Sequence, residues 1–355
     1  MKICFMAGRE PTYARNAIIL KGLREQGIRI VECTDGSRSY LLRFPNVLKK
    51  FLLSDKKDLD LIFIGFFGQP LVPIVRRLTS KPTVLDAFLS AYDTMCFDRK
   101  RFNPVSIGGR FFYRLDKLSC QLADRVVLDT NAHISYFVET FGLDRNRFHR
   151  VLVGADDSIF YPREIEKEDD KFRVFYYGTY RPLQGIEYII RAAKRLESYE
   201  DIEFEIVGKG PEYERVMELA QELSVRNVKF ADWILYEDLP LRIAKADVCL
   251  GGHFSAIDKA RRVIAGKTFQ FIAMRKPVIV GDNPANRELF QNRQNVLMCP
   301  MADADGLAEA ILEVRNNVPL REKIADEGYK VFRNQCTPKL IGSQIKEILT
   351  ELVGK

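Results

Sequence analysis

The feature that most constrains the fold is a repeated alternation of short apolar runs and longer amphipathic segments along the chain of 355 residues. Runs such as residues 59–66 carry apolar side chains at consecutive positions, as expected for a strand covered on both faces by helices. Amphipathic segments such as 13–26 and 110–123 lie between these runs. This order predicts an α/β fold with parallel sheets wrapped by helices.

The predicted strands fall into two groups, so two Rossmann-like domains are expected in a chain that is long for one core. A charged stretch at 163–171 has few apolar residues and separates the groups. We therefore predict domains at 1–155 and 172–337, joined by a linker at 156–171. The strands are predicted at 3–6, 28–33, 59–66, 83–88, 125–129, 150–153, 173–177, 203–207, 228–230, 248–251, 277–280 and 296–299.

Charge is unevenly distributed along the chain. Residues 1–160 contain 25 lysines and arginines against 17 acidic residues, a net charge of +8, whereas the remainder has 30 against 31, a net charge of −1. A basic first half suggests an anionic partner, and ordinary solubility charge is the alternative. Nucleic acid is not expected as that partner, because the basic residues lack interleaved aromatics in a recognisable motif.

Cysteine and histidine usage predicts neither disulfides nor a metal site. The seven cysteines include no CxxC pair, and the three histidines lack metal-ligand spacing. Free thiols in apolar runs favour a reducing compartment, and the chain opens directly into a strand, so we expect a cytoplasmic protein. Apolar runs are shorter than the ~18 residues that a membrane span needs, so any attachment to the inner face of the plasma membrane would be peripheral.

One basic segment is a candidate for phosphate binding. Four cations, Lys259, Arg261, Arg262 and Lys267, precede an amphipathic run at 268–274. Cations together with free backbone N–H groups at a helix N-terminus form a good receptor for phosphate. A solvated basic loop is the alternative.

Residues that follow the predicted strands of the second domain suggest further contacts with a nucleotide. Gly178 ends the first strand, and Arg181 in the next turn could reach a diphosphate. An ordinary turn between strand and helix is the alternative. Trp233, the only tryptophan, is expected in the core, or else against a nucleobase whose edge the backbone of Trp233 and Ile234 would suit.

Several motifs in the second half resemble those of the retaining glycosyltransferases of family 4. They are GTYRPLQGIEYIIRAA at 178–193, VGKGPE at 207–212, KFADWILYEDLPLRIAKADVCLGG at 229–252 and GKTFQFIAMRKPVIVGDNPANREL at 266–289. The resemblance is strong in the second half and looser in the first. It implies the GT-B architecture, two Rossmann-like domains with parallel sheets facing a central cleft, and a C-terminal helix at 338–355 that crosses back to the first domain. It also implies retaining transfer from a nucleotide-diphosphate sugar, with UDP or GDP as the nucleotide and no further cofactor.

The sequence departs from the family pattern at four positions. Thr179 and Gln184 stand where the family has cations that hold the donor diphosphate. Gln270 replaces a carboxylate that commonly binds ribose hydroxyls, and Arg262 replaces a second acidic residue. An amide can still bond a ribose diol, so Gln270 remains a candidate ribose contact.

Relocated cations would compensate for the two missing ones. We expect Lys259, Arg262 and Lys267 to hold the diphosphate in their place. Arg262 and Lys267 are also candidate catalytic residues, because they would stabilise the charge that develops on the leaving diphosphate.

In the first domain the resemblance points to four residues. Gly8 and Arg15 lie in the segment that approaches the donor phosphates in the family, although the usual paired glycines are reduced to Gly8. Asp86 stands near the place of a family histidine beside the transferred sugar. Asp86 and Asp93 are therefore candidates to orient the acceptor hydroxyl, and helix capping is the alternative for each.

We interpret the chain as a retaining glycosyltransferase that moves a sugar to a glycan, lipid-linked or small-molecule acceptor without a metal. Attachment of the first domain to an anionic membrane is expected from clusters of cations and apolar residues at 49–53, 76–78 and 110–112. The alternative is that these apolar residues face the core and the cations only solvate the surface. Two alternatives stay open. One is a nucleotide-sugar epimerase of GT-B type, and the other is a non-catalytic protein that binds a sugar nucleotide.

Overall fold

The computed structural model describes residues 1–166 and 169–354. The chain forms two compact units, one of Met1–Gly154 with Thr337–Lys355 and one of Ala155–Cys336. The predicted linker at 156–171 contains residues 167 and 168, which lie outside the described residues, as does residue 355 of the predicted closing segment.

The first unit contains a six-stranded parallel sheet in the order β2-β1-β3-β4-β5-β6. Its strands are β1 (Lys2–Ala7), β2 (Arg29–Cys33), β3 (Leu61–Gly65), β4 (Thr83–Asp86), β5 (Arg125–Leu128) and β6 (Phe148–Arg150). Its helices before residue 154 are α1 (Ala14–Glu25), α2 (Tyr40–Leu53), α3 (Val72–Leu78), α4 (Ala91–Asp93), α5 (Ile107–Leu122) and α6 (Asn131–Phe141). Every residue of β3 is buried, as its unbroken apolar run requires.

The last strand of this sheet lies two to three residues earlier than its predicted position at 150–153. The segment after Arg150 is buried, and its last backbone bond to the sheet is from the N–H of Val151 to the carbonyl of Leu128 at 2.8 Å. The carbonyl oxygens of Val151 and Leu152 instead accept hydrogen bonds from the guanidinium of Arg15, at 2.9 and 2.6 Å. The apolar run at 150–153 predicted a strand there, because a contact with the distant Arg15 cannot be inferred from local sequence.

The second unit contains a six-stranded parallel sheet in the order β12-β11-β10-β7-β8-β9. Its strands are β7 (Phe172–Tyr177), β8 (Ile202–Val207), β9 (Val228–Ala231), β10 (Val248–Leu250), β11 (Val278–Gly281) and β12 (Leu297–Cys299). Its helices are α7 (Ile186–Arg195), α8 (Tyr213–Glu222), α9 (Leu239–Ala244), α10 (Gly266–Ala273), α11 (Pro284–Arg287), α12 (Ala304–Asn316) and α13 (Val318–Val331). Strand order reverses between β7 and β10, and the carboxyl ends beside such a reversal are where open α/β sheets bind ligands.

The final helix, α14 (Pro338–Val353), packs on α1 in the first unit. The helices approach most closely at Gly22 and Gly342, where a Cβ on either residue would collide with the other's backbone. The side chain of Gln26 also donates to the carbonyl of Lys339 at 3.0 Å. The predicted α/β class, with two parallel sheets, is confirmed.

Candidate functional site

The loops that follow β7 and β10 meet at the point where the second sheet reverses its strand order. Each loop contains a 3₁₀ turn, Pro182–Gln184 in the first and Asp258–Arg261 in the second, and the two turns contact each other. The backbone N–H of Phe254 donates to the carbonyl of Gln184 at 3.2 Å. These contacts fix the backbone on which the candidate side chains stand.

Lys267, the second residue of α10, is the central cation of this region. Only 7% of the residue is exposed. Its Nζ donates to Oε1 of Gln184 at 2.6 Å and lies 4.0 Å from the ring centroid of Tyr176. Burial lowers the pKa of Lys267 to about 7. Among the described residues no carboxylate pairs with it, so a buried amine is held here without an anionic partner.

Gly178 leaves room for this amine. Its φ of 157° lies in a region that side chains rarely adopt. A Cβ at this position would lie 3.1 Å from Nζ of Lys267 and 3.2 Å from the hydroxyl of Tyr176. The absence of a side chain at the end of β7 therefore leaves space for the amine beside the strand end.

The low pKa of His253 indicates a positive potential in the same region. Burial first, and then the charges of Lys267 and Lys259, lower the pKa of His253 to about 3. Lys259 is itself buried, whereas Arg262 is half-buried and its neighbour Arg261 is exposed. Lys259 and Lys267 therefore both lie near His253, whose ring is neutral.

The N-terminus of α10 adds to this potential. The cap residue, Ala265, has no side chain that can accept from the first amides, and the first turn contains no acidic residue. The N–H of Thr268 donates to the carbonyl of Ala265 at 2.9 Å, and the helix dipole favours an anion at this end. The N-terminus of α10 and two buried lysines therefore lie in one region, an arrangement that favours an anion.

Gln270 lies one turn further along α10. Its Nε2 is 3.4 Å from the hydroxyl of Tyr236, a weak contact, and its buried Oε1 has no hydrogen-bond partner among the described residues. A buried acceptor without a donor calls for an explanation, and a ligand hydroxyl would supply the donor.

Trp233 and Ile234 lie on the loop after β9, in the same unit. Trp233 is 56% exposed, so the expectation that it belongs to the core is wrong. The loop leaves the sheet at its carboxyl end, and the indole therefore has no strand or helix layer to cover it. Tyr236, two residues beyond Ile234, packs edge-on against the ring of Phe160.

Arg181 is half-buried and lines a cavity of about 240 Å³ between α7, α8 and the loop after β10. Arg215 and Glu187 also line this cavity and form an ion pair with each other. Lys267 is not among the lining residues, so the structure gives Arg181 different surroundings from those of the buried lysine.

In the first unit, Arg15 and Asp86 bind each other. The guanidinium donates to both carboxylate oxygens at 3.0 Å, and neither side chain is exposed. Burial raises the pKa of Asp86, and the charge of Arg15 opposes that rise. With both oxygens engaged, the pair fastens the end of β4 to α1, and the geometry offers no support for direct contact of either group with a ligand.

Gly8 and Asp93 are also engaged by their own unit. A side chain on Gly8 would collide with the backbone of Phe67, so the glycine serves close packing of the chain. Asp93 is buried, and its backbone N–H donates to Oγ of Ser90 at 2.9 Å. Ser90 is thus the cap of this turn, and it donates in turn to Asp116 at 2.7 Å.

Sequence reasoning missed Tyr176, His253 and Asp116. Burial raises the pKa of Asp116 to about 6, although backbone N–H and Ser90 hydrogen bonds oppose the shift. His253 had a usable signal, because it follows two glycines directly after a buried strand. Tyr176 and Asp116 had no sequence signal, because Tyr176 lies within a predicted strand and Asp116 within an amphipathic segment, and neither stands out there.

Two features are absent from residues 1–166 and 169–354. No group of three or more histidine, cysteine or acidic side chains there could hold a metal ion. No helix in those ranges is both long and apolar enough to cross a bilayer.

Comparisons with known structures define the class of the fold. HepE of Anabaena, solved in complex with UDP, matches with a TM-score of 0.75 at 16% identity over 99% of this chain and 100% of that one. Sucrose-phosphate synthase of Thermosynechococcus elongatus matches with a TM-score of 0.77 at 15% identity over 99% of each chain. The fold is that of the GT-B glycosyltransferases.

Sequence comparison identifies the family. Residues 157–331 match the family model of the glycosyl transferases group 1. The lipopolysaccharide core biosynthesis glycosyltransferase LpsD of Rhizobium meliloti is 24% identical over 54% of this chain, and the match spans about half of LpsD, 53%. Residues 157–331 of the second unit belong to the glycosyl transferases group 1 family, and the predicted resemblance is confirmed.

Proposed function

We propose that the second unit binds a nucleotide-diphosphate sugar and that the enzyme transfers the sugar with retention of configuration. The observation that carries this proposal is the buried amine of Lys267, which lies at the strand-order reversal without an anionic partner among the described residues. Keeping an uncompensated amine in such a place is costly, and a diphosphate would supply the missing charge.

The chemistry follows from where charge develops in the reaction. As the glycosidic bond to the diphosphate breaks, negative charge grows on the leaving phosphate oxygens. Lys267, Lys259, Arg262 and the amides of α10 would stabilise that charge, which is how a site of fixed donors and cations accelerates transfer. The acceptor would attack from the same face, and the leaving diphosphate would take its proton.

Gln270 would contact the ribose of the donor, and the loop that contains Trp233 and Ile234 would contact the base. The unpartnered Oε1 of Gln270 supports the first contact, and the exposure of Trp233 supports the second. We propose UDP as the nucleotide, because the similar structure of HepE contains UDP.

The acceptor is proposed to be a glycan or a lipid-linked glycan, with the reaction at the cytoplasmic face of a membrane. The name of the relative LpsD describes lipopolysaccharide core biosynthesis, which requires acceptors of this kind. The net charge of +8 in residues 1–160 agrees with an anionic surface nearby.

Calorimetric titration with UDP, GDP and UDP-glucose tests the donor site directly. We expect one equivalent of UDP to bind, and Lys267→Met to bind it at least tenfold more weakly. Arg261→Ala is the matched control, because Arg261 is an exposed cation of the same segment. If none of the three ligands binds, the proposed donor site is refuted.

Product analysis then separates transfer from the alternatives. The wild-type protein should release UDP from a donor sugar faster when a glycan acceptor is present. Interconversion of the donor without UDP release would indicate an epimerase. Tight binding without turnover over a panel of acceptors would indicate a non-catalytic protein.

A further inference from the structure

The helices on one face of the first sheet carry an unusual outer surface. The connections from β2 to β3, β3 to β4 and β4 to β5 all advance in the same direction across the sheet order. Because such crossovers are right-handed, α2, α3 and α5 lie on the same face of the sheet. The connection from β1 to β2 runs the other way, which places α1 on the opposite face with α14.

The outward side of this layer exposes large apolar side chains. On α5 the exposed positions Ile107, Arg110, Phe111, Arg114 and Leu118 follow helical spacing, so they form one stripe. Ile107 is 91% exposed. The most exposed apolar residues of α2, α5 and the segment before α5 are Leu41, Leu42, Leu53, Val105, Ile107 and Phe111. Single exposed apolar side chains are common, but a group of them on one face indicates an interaction surface.

The charged residues of α2, α3 and α5 are almost all basic. Together α2, α3 and α5 contain eight lysines and arginines and a single carboxylate. That carboxylate, Asp116, is buried and accepts hydrogen bonds from Ser90 and from the backbone of Tyr92. The exposed cations of α2, α3, α5 and the segment before α5 are Lys49, Lys50, Arg77, Arg99, Lys100, Arg101, Arg110 and Arg114. The outer face of α2, α3 and α5 thus presents cations and apolar groups without a compensating acid on these three helices. The same rule places α6 in this layer, and α6 carries one exposed carboxylate, Glu139.

We propose that this face, formed by the exposed residues of α2, α3, α5 and 97–105, binds a membrane surface of anionic lipids. The cations would lie among the headgroups, while Leu41, Leu53, Ile107 and Phe111 would enter the boundary of the acyl chains. The inference rests on the proposed function only in placing the acceptor at that membrane.

Two other occupants fit less well. A second copy of this face would bring many cations against cations, which is unfavourable for a symmetric interface. A nucleic acid would match the charge, but exposed leucine and isoleucine side chains offer no stacking surface to bases. Of the apolar residues beside the cations of α2, Phe51 faces the core, whereas Leu52 and Leu53 are exposed and remain available to lipid.

Cosedimentation with vesicles tests the proposal in the full chain. Vesicles of phosphatidylcholine alone are compared with vesicles that also contain phosphatidylglycerol, at low and at high salt. The wild-type protein should bind only the anionic vesicles, and salt should weaken the binding. The double variant Arg110→Gln/Arg114→Gln should bind roughly thirty-fold more weakly, from about 1 kcal/mol per cation.

The double variant Ile107→Ser/Phe111→Ser should also lose binding, and it should keep its fold because both side chains are exposed. The matched control is Val318→Ser/Lys323→Gln, an exposed apolar residue and an exposed cation on α13 of the second unit. The control should bind vesicles like the wild-type protein. Equal recovery of wild-type protein on neutral and anionic vesicles would overturn the proposal, as would unchanged binding by the surface variants.

Two further measurements distinguish the possible outcomes. Light scattering tests whether a second copy covers the face, and calorimetry with UDP tests the donor site separately. A dimer in light scattering that Ile107→Ser/Phe111→Ser abolishes would assign the face to a second copy and overturn the lipid proposal. Calorimetry with UDP on the same variants separates the two proposals, because the surface variants should bind UDP normally. Vesicle binding without any UDP binding would leave the lipid surface standing and remove the proposed donor site.

Discussion

Nζ of Lys267 lies 2.6 Å from Oε1 of Gln184, a residue 83 positions earlier in the chain. Gln184 stands where the glycosyltransferase family that this sequence resembles has a cation for the donor diphosphate. In this protein the amine of α10 reaches that position instead, and the amide oxygen holds it. A basic group is therefore retained at the end of β7, although the residue that supplies it comes from a different element, α10.

This relationship predicts that donor binding is coupled to proton uptake. The pKa of Lys267 is about 7 in the free protein, so at higher pH the amine is mostly neutral. A bound diphosphate favours the charged form and raises that pKa. The affinity for UDP-glucose, whose diphosphate diester does not titrate in this range, should therefore increase as the pH falls from about 9 to about 7.

Calorimetry in two buffers of different ionisation enthalpy measures this uptake, which should approach one proton per ligand in the upper part of the range. Lys267→Arg is the matched variant, since a guanidinium stays charged throughout, and its affinity should vary less with pH. An affinity of the wild-type protein that does not change over this range would contradict the assignment.

Arg262 should contribute to diphosphate binding by charge-assisted hydrogen bonds. Arg262→Ala is expected to weaken UDP binding by roughly 1.5–3 kcal/mol, the scale of a hydrogen bond to a charged group. Arg261→Ala, one position earlier and exposed, should leave the affinity unchanged. Equal effects of the two substitutions would mean that the segment acts only through its total charge.

Gln270 should form a hydrogen bond with the ribose of the nucleotide. The Gln270→Leu protein should stay folded and bind UDP less tightly, and its preference for UDP over 2′-deoxy-UDP should shrink, because the amide that discriminates the hydroxyl is gone. Gln221→Leu, on the exposed side of α8, controls for the loss of an amide elsewhere in the same unit. An undiminished preference for ribose in Gln270→Leu would exclude this role.

The architecture was predictable from sequence because its signals are local. Buried strands such as β3 and β7 show continuous apolar runs, and the cluster around Lys259 and Lys267 lies within nine residues. Parallel sheets also bring strand ends together by rule, so residues after β7 and β10 could be expected at one edge.

The remaining features depend on contacts between distant segments. Arg15 and Asp86 are 71 residues apart, and no local pattern distinguishes a structural ion pair from two functional residues. Trp233 was misplaced because a lone tryptophan is usually a core residue, whereas here it lies on a loop beyond the sheet. Proximity of Lys267 to Gln184 could be inferred only as compensation for an absent cation.

The contact between α1 and α14 should be sensitive to a single methyl group. In Gly342→Ala the added Cβ would collide with the backbone of Gly22, which cannot move aside as a flexible side chain could. We expect a loss of roughly 1–3 kcal/mol in the free energy of unfolding, measured by urea denaturation. Gly36→Ala is the control, since nothing lies within 4 Å of the added atom. Equal stability of the two variants would argue against close packing of these helices.

The buried pair of Arg15 and Asp86 should matter mainly for stability. Asp86→Ala removes one partner and leaves the guanidinium buried and only partly bonded, so the free energy of unfolding should fall by roughly 3–5 kcal/mol. Arg24→Ala breaks the exposed ion pair with Glu32 and should cost less than about 1 kcal/mol. In the double variant Arg15→Met/Asp86→Leu both charges are gone, and stability should partly recover. Each protein is measured by urea denaturation and, where it folds, by kcat. If Asp86→Ala instead unfolds like the wild-type protein but loses turnover, Asp86 acts on the substrate, and the structural role inferred from its two hydrogen bonds to Arg15 is wrong.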